Sequence, residues 1–223
     1  EFEGAAVERL RHSMQLRRQA DIEEMRALAE LAAEHSWTTT DELDVVGERA
    51  VRIGADGSAL IGEYLPLEVA AIKAISVTAA TWLIRDVLNL QGRHPALWLA
   101  ANKRGVQAYQ AFQLAQLAAK YDLTLAEALQ LDATLSPRFG RIGWPRLMRL
   151  ARGLIAVMAA DRIKTAADLA RQARYVRSAT STDEPVITEL WARLDTTDAR
   201  QLEATVSALA KALGRLGDTD DLD

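Results

Sequence analysis

The sequence predicts a mainly α protein, a multi-helix bundle with a long N-terminal helix and a small β-hairpin element near residues 45–64. Three observations carry that prediction. Alanine and leucine dominate, while only 12 glycines and 5 prolines occur in 223 residues, a composition that favours helix. Apolar residues recur at helical spacing over most of the chain. One stretch departs from this pattern, with β-branched residues at its start and the turn "GADGS" in its middle.

Residues 4–35 place Leu10, Met14, Ile22, Met25, Leu28 and Leu31 at helical intervals with charges between them, which fits one long helix, expected over 8–34, or a helix broken near Ser13. "HSWTTTDELD" ends it, and Thr40 or Asp41 would cap a short following helix. In the hairpin segment, Asp56-Gly57 is a pair that tolerates the positive φ of a tight turn. Pro66 suits the start of a short helix. Ser76 suits the N-cap of the next, whose apolar face would carry Ala79, Leu83, Val87 and Leu90.

"HPALWLAANKRG" follows, with Gly105 expected at the C′ position. A helix over 106–121 is next, and then one capped by Thr124 with Glu127 at capping-box spacing. Another begins at Trp144-Pro145, and "TAADLARQARYVR" continues the helical pattern. "STDEP" interrupts it. The last amphipathic helix has Asp195 and Asp198 near its start, where negative charge is favoured, and Gly217 at its end. Trp82, Trp98, Trp144 and Trp191 sit in apolar helical contexts and read as core anchors, with Trp37 at the first helix–loop junction.

The domain reading is in three parts: 1–44, the long helix and a short following helix; 45–177, a helical core module with the hairpin inserted; 178–223, a linker and a C-terminal amphipathic helix leading to a further domain. The start without methionine and the ending "GDTDDLD" read as an excised piece of a longer chain.

Charge is distributed unevenly. The net charge is -4, yet residues 1–50 hold 12 acids and 6 bases, 141–177 hold 9 bases and 2 acids, and 178–223 hold 10 acids and 4 bases. A basic middle of this kind fits a local phosphate-binding patch, and it equally fits internal pairing with the acidic ends. The arginines concentrate the question. Arg146, Arg149 and Arg152 are spaced by three and share one broad helix face, opposite a core-facing stripe of Leu147, Leu150, Leu154 and Met158. Arg171, Arg174 and Arg177 repeat the spacing one helix later, and Arg138 and Arg141 lie at the helix approach. These eight are the candidate DNA-backbone contacts. The other reading is that they solvate helix faces, their stems covering apolar surface.

Other chemistry is thinly represented. There is no cysteine, which excludes disulfides, thiolate zinc sites and cysteine nucleophiles in this stretch and fits a cytoplasmic location. His12, His35 and His94 lie in separate segments without metal-ligand spacing, and His94 reads as a cap of the preceding turn. Gly-rich phosphate loops and nucleophile elbows are absent, and no apolar run reaches the roughly 18 residues of a membrane span. No catalytic centre and no cofactor are expected in this stretch.

Four segments stand out together: "ADIEEMRALAELAAEHSW" at 20–37, "LIGEYLPLEVAAIKAISVTAATWLIRDVLNLQGRHPALWLAANKRGV" at 60–106, "FGRIGWPRLMRLARGLIAVMAAD" at 139–161 and "WARLDTTDARQLEATVSALAKALGRLGDTDDLD" at 191–223. In this order and spacing they resemble the N-terminal module of the 13E12-repeat proteins, the domain DUF222 of actinobacterial and phage-associated HNH endonuclease-like proteins. The family pattern "LRHRLP" stands here as "LQGRHP", with Gln91, Gly92 and His94 departing from its basic core.

The resemblance implies a non-catalytic, DNA-associating accessory module of an HNH-type endonuclease. The nuclease centre and its divalent metal would lie in a further C-terminal domain. The partner implied is double-stranded DNA, with no membrane. The alternative is a helical protein-interaction or dimerisation scaffold without nucleic-acid binding, a homodimer through the N-terminal helix, since so long an apolar stripe needs cover.

Overall fold

The computed structural model describes residues 2–37, 47–103, 105–180 and 188–216. The protein is mainly α. Among the described residues the elements run α1 (Phe2–Glu34), β1 (Ser36–Trp37), β2 (Ala50–Val51), β3 (Leu60–Gly62), α2 (Leu65–Lys73), α3 (Val77–Arg93), α4 (Pro95–Asn102), α5 (Ala108–Lys120), α6 (Leu125–Leu135), α7 (Trp144–Met158), α8 (Ala160–Gln172), β4 (Tyr175–Thr180), β5 (Thr188–Arg193) and α9 (Thr196–Arg215). The chain divides into two compact units, Glu1–Arg162 and Ile163–Asp223.

In the first unit α3 is the hub, packed against α1, α2, α4, α5 and α6. Its buried face carries Ala80, Ile84, Val87, Leu88 and Leu90, whereas Ala79 and Leu83 are only half-buried, so the expected stripe is rotated by about one residue. Around it close Leu28, Ala29 and Ala32 of α1, Ile61 of β3, and Leu65 and Val69 of α2. Alanines such as Ala101, Ala111, Ala115, Ala118, Ala128 and Ala151 are fully buried where helices meet. Such close helix approaches leave little room for an indole. Trp82 is accordingly 56% exposed; Trp144 is half-buried, and Trp191, on a strand of the second unit, is 48% exposed, so of the four expected core anchors Trp98 alone packs against this core cluster, and it is half-buried.

α1 is a single helix through Ser13, whose hydroxyl donates to the Leu10 carbonyl at 2.8 Å rather than breaking the turn. Its cover is partial. Ile22, Met25, Leu28, Ala29 and Ala32 are buried, while Val7, Leu10 and Met14 are exposed.

The hairpin forms as β2 and β3, antiparallel with Ala50 opposite Gly62 and Val51 opposite Ile61. A third strand joins from the far side, since β1 pairs with β3 through Ser36 and Ile61. The connecting turn is pinned to two helices. Asn89 of α3 accepts from the Ala55 N–H at 2.7 Å, and Asp56 accepts from Leu125 N–H at 2.8 Å at the start of α6. Gly57 there has φ 77°, the left-handed region that glycine enters freely.

Helix ends follow their capping residues. The Ser76 hydroxyl accepts from Ala79 N–H, and Thr124 and Glu127 form a reciprocal capping box. Pro66, Pro95 and Pro145 occupy first turns. α4 stops at Asn102 with Lys103 as its C-cap, so Gly105 lies beyond the C′ position expected for it. Thr40, Asp41 and Gly217 lie outside the described residues.

The second unit differs from its sequence reading. Residues 175–180 pair with 188–193 as an antiparallel ladder from Tyr175–Arg193 to Thr180–Thr188, where a helix continuation and a linker were expected. Tyr175 and Val176 suit a pleated strand, and cross-strand pairing with Arg193 and Ala192 overrides the local helical spacing. Arg171 therefore ends in α8, Arg174 lies in the turn after it and Arg177 is on β4, so the three do not share a helix face. The Asp195 carboxylate caps α9, accepting from Thr197 and Asp198 N–H, each at 3.0 Å.

Candidate nucleic-acid interface

α7 begins where Gly143 is extended and Pro145 presets the first turn. The chain reaches it through Gly140, at φ 70°, where an added Cβ would stand 2.8 Å from the Gly105 carbonyl oxygen. That close approach ties the start of α7 to the end of the α4 segment. Leu147, Ala151 and Ile155 face the core at intervals of four, and Arg146, Arg149 and Arg152 are exposed. The expected core stripe needs correcting here too: Leu150 is 41% exposed and Leu154 and Met158 are half-buried. The seam follows the i, i+4 ridge through Ala151, whose small side chain lets α7 settle against α5 and α6.

Between α5 and α7 lies an open groove of about 700 Å³. α5 contributes Gln113, Gln116 and Lys120; α7 contributes Trp144, Arg149 and Arg152. The groove thus holds three cations, and no carboxylate lines it among the described residues. Arg146, Arg149 and Arg152 form no ion pair among those residues. Trp144 Nε1 donates to Gln113 Oε1 at 3.1 Å across the groove. Gln116 is turned to the adjoining groove over Asp86, donating to its Oδ2 at 2.5 Å, while Arg85 holds Oδ1 at 3.0 Å. Lys120 lines both grooves. Its partnership with Arg149 and Arg152 was not legible in the sequence, because it depends on the packing of α5 against α7.

The remaining candidates are dispersed. Arg138 is exposed and donates to the Thr134 carbonyl at 2.8 Å; Arg141 is exposed in the turn before α7. Arg171, Arg174 and Arg177 belong to the second unit. Arg171 pairs with Asp168 at 3.3 Å, Arg174 with Asp195 at 2.8 Å and Asp198 at 3.5 Å, and Arg177 stacks over the Tyr175 ring at 5.1 Å. Arg174 thus realises the pairing of basic middle with acidic end.

A buried polar cluster also escaped sequence reasoning. Arg93 and His94 are fully buried at the α3–α4 junction. Arg93 Nη2 donates to the Leu123 carbonyl, but its Nε and Nη1 and both imidazole nitrogens of His94 find no partner among the described residues. Burial, reinforced by the Arg93 charge, pushes the His94 pKa down to about 3. His94 stands at the C-cap of α3, as the sequence suggested, its backbone N–H donating to the Leu90 carbonyl at 3.1 Å, but its imidazole takes no part in the cap. Asp132 caps α4 instead, accepting from Ala96 and Leu97 N–H at 2.7 and 3.0 Å. Burial raises the Asp132 pKa against the pull of those two bonds.

Among the described residues no group of three or more His, Asp or Glu side chains is placed to hold a metal. Among them, too, no single helix is long and apolar enough to cross a membrane. Compared with protein-family models, curated proteins and solved structures, the chain matches none.

Proposed function

We propose that this chain is a non-catalytic module that associates with double-stranded DNA, and that it serves as the accessory part of an HNH-type endonuclease whose metal-bearing centre lies in a further domain. The observation that carries DNA association is the α5–α7 groove, where Lys120, Arg149 and Arg152 converge without a lining carboxylate. Cations that two helices bring to one groove, unpaired among the described residues, suit phosphate oxygens, and arginine can grip them in bidentate fashion. Gln113 and Gln116 are the groove's two amides, and both are already engaged, with Trp144 and Asp86. That favours contact with the backbone over reading of base edges. The link to an HNH nuclease draws on the four resembling segments alone.

Fluorescence anisotropy with labelled duplexes of unrelated sequence tests the reading. Substituting Lys120, Arg149 and Arg152 by glutamine together weakens binding alike for every duplex; unchanged affinity contradicts it.

The second reading is an interaction scaffold, with α1 as the homodimer face. The exposed Val7, Leu10 and Met14 favour it. Leu10→Lys with Met14→Lys would then abolish self-association without loss of helix, and a monomeric wild-type chain contradicts it.

A further inference from the structure

We propose that α9 is a self-association helix, pairing antiparallel with α9 of a second copy of this chain. The starting observation is a spacing. Leu202, Val206, Leu209, Leu213 and Leu216 follow one another at four, three, four and three residues, and they are 44%, 55%, 61%, 51% and 84% exposed. Strict alternation of three and four is the 3.5-residue repeat of a two-helix supercoil, narrower than the broad apolar face of a helix built into a globular core. Ala199 continues the series one step toward the N-terminus.

Among the described residues of its own unit the stripe finds no cover. Among the described residues of 163–223 no side chain is buried, and the β4–β5 hairpin leaves its own Val176 and Leu190 exposed. Helices in proteins draw most of their stability from packing of an apolar face, so an apolar seam along α9 calls for a partner helix.

The seam is its own complement. With Val206 opposite the partner's Leu209, Leu202 falls opposite the partner's Leu213, and Ala199 opposite the partner's Leu216. The charges select the direction. Asp198 and Glu203 flank the seam in the first half of α9, residues 204–215 carry no acid, and Arg200, Lys211 and Arg215 all lie on the outer face. An antiparallel pair sets Asp198 and Glu203 of each helix against the acid-free half of the other and aligns opposite dipole ends. A parallel pair would instead place Asp198 beside the partner's Glu203, a repulsive contact at the flanking positions.

Sedimentation equilibrium of the full chain tests the pairing. Wild type is expected at twice the 24.5 kDa chain mass, and Leu209→Lys at the single-chain mass with unchanged circular dichroism. A monomeric wild type overturns the proposal, as does a Leu209→Lys dimer that Leu10→Lys dissociates. The cysteine-free sequence allows a second measurement that does not depend on that variant. Leu202→Cys and Leu213→Cys chains, mixed, allowed to exchange and oxidised, should give disulfide-linked dimers that neither gives alone. Cross-linking of each variant with itself overturns the antiparallel arrangement, and no cross-linking in any sample overturns the pairing.

Discussion

Trp144 donates its indole N–H to Gln113 across the α5–α7 groove at 3.1 Å, and so spans the space in which Lys120, Arg149 and Arg152 converge. The bond joins the first turn of α7 to the middle of α5. Replacing Trp144 by Phe keeps an aromatic ring and removes the donor, so the loss of stability should be modest, about 0.5–1.5 kcal/mol. Urea unfolding monitored by circular dichroism measures it. A much larger loss would mean that the ring's packing, and not the bond, fixes the groove.

His94 makes stability depend on pH. Its folded pKa, about 3, lies below the ordinary 6.5, so the unfolded chain binds a proton that the folded chain refuses. Stability from the buried neutral ring is therefore fully present above pH 6.5 and is lost as pH falls from 6.5 toward 3, by at most about 1.4 kcal/mol per pH unit. Unfolding curves across that window should slope less steeply for His94→Gln than for wild type. Parallel slopes would contradict the assignment.

The α7 seam gives a paired comparison. Leu147 is 2% exposed, and its replacement by alanine should cost about 2–4 kcal/mol, as for other buried leucines. Leu150 is 41% exposed, and the same replacement should cost well under half as much. Equal costs would restore the stripe that the sequence alone predicted.

That comparison marks how far the sequence carries. Features decided within one turn were legible: the Ser76 and Thr124 caps, the prolines of the first turns and the Asp56-Gly57 turn all stand where their local chemistry puts them. The phase of a buried face was not, because leucines populate more than one ridge of α7 and tertiary packing chooses among them through an alanine. The β4–β5 hairpin was hidden because its strands stabilise each other across a gap in sequence, while each alone carries helical spacing. For the site, the exposed arginines of α7 could be read from periodicity. Lys120 and the groove arise only when α5 and α7 are packed together, and the buried Arg93–His94 pair only when the α3–α4 junction closes on Leu123.

DNA association through the α7 face is the central claim, and a salt titration of duplex binding tests it most directly. Phosphate contacts release counterions, so affinity should fall linearly with salt on logarithmic axes. Changing Arg146, Arg149 and Arg152 together to glutamine should lower the magnitude of that slope by up to roughly 3. The loss should be equal on unrelated duplexes, with circular dichroism unchanged. An identical slope and affinity in the triple variant, or no duplex binding by the folded wild-type chain even at low salt, would contradict the account.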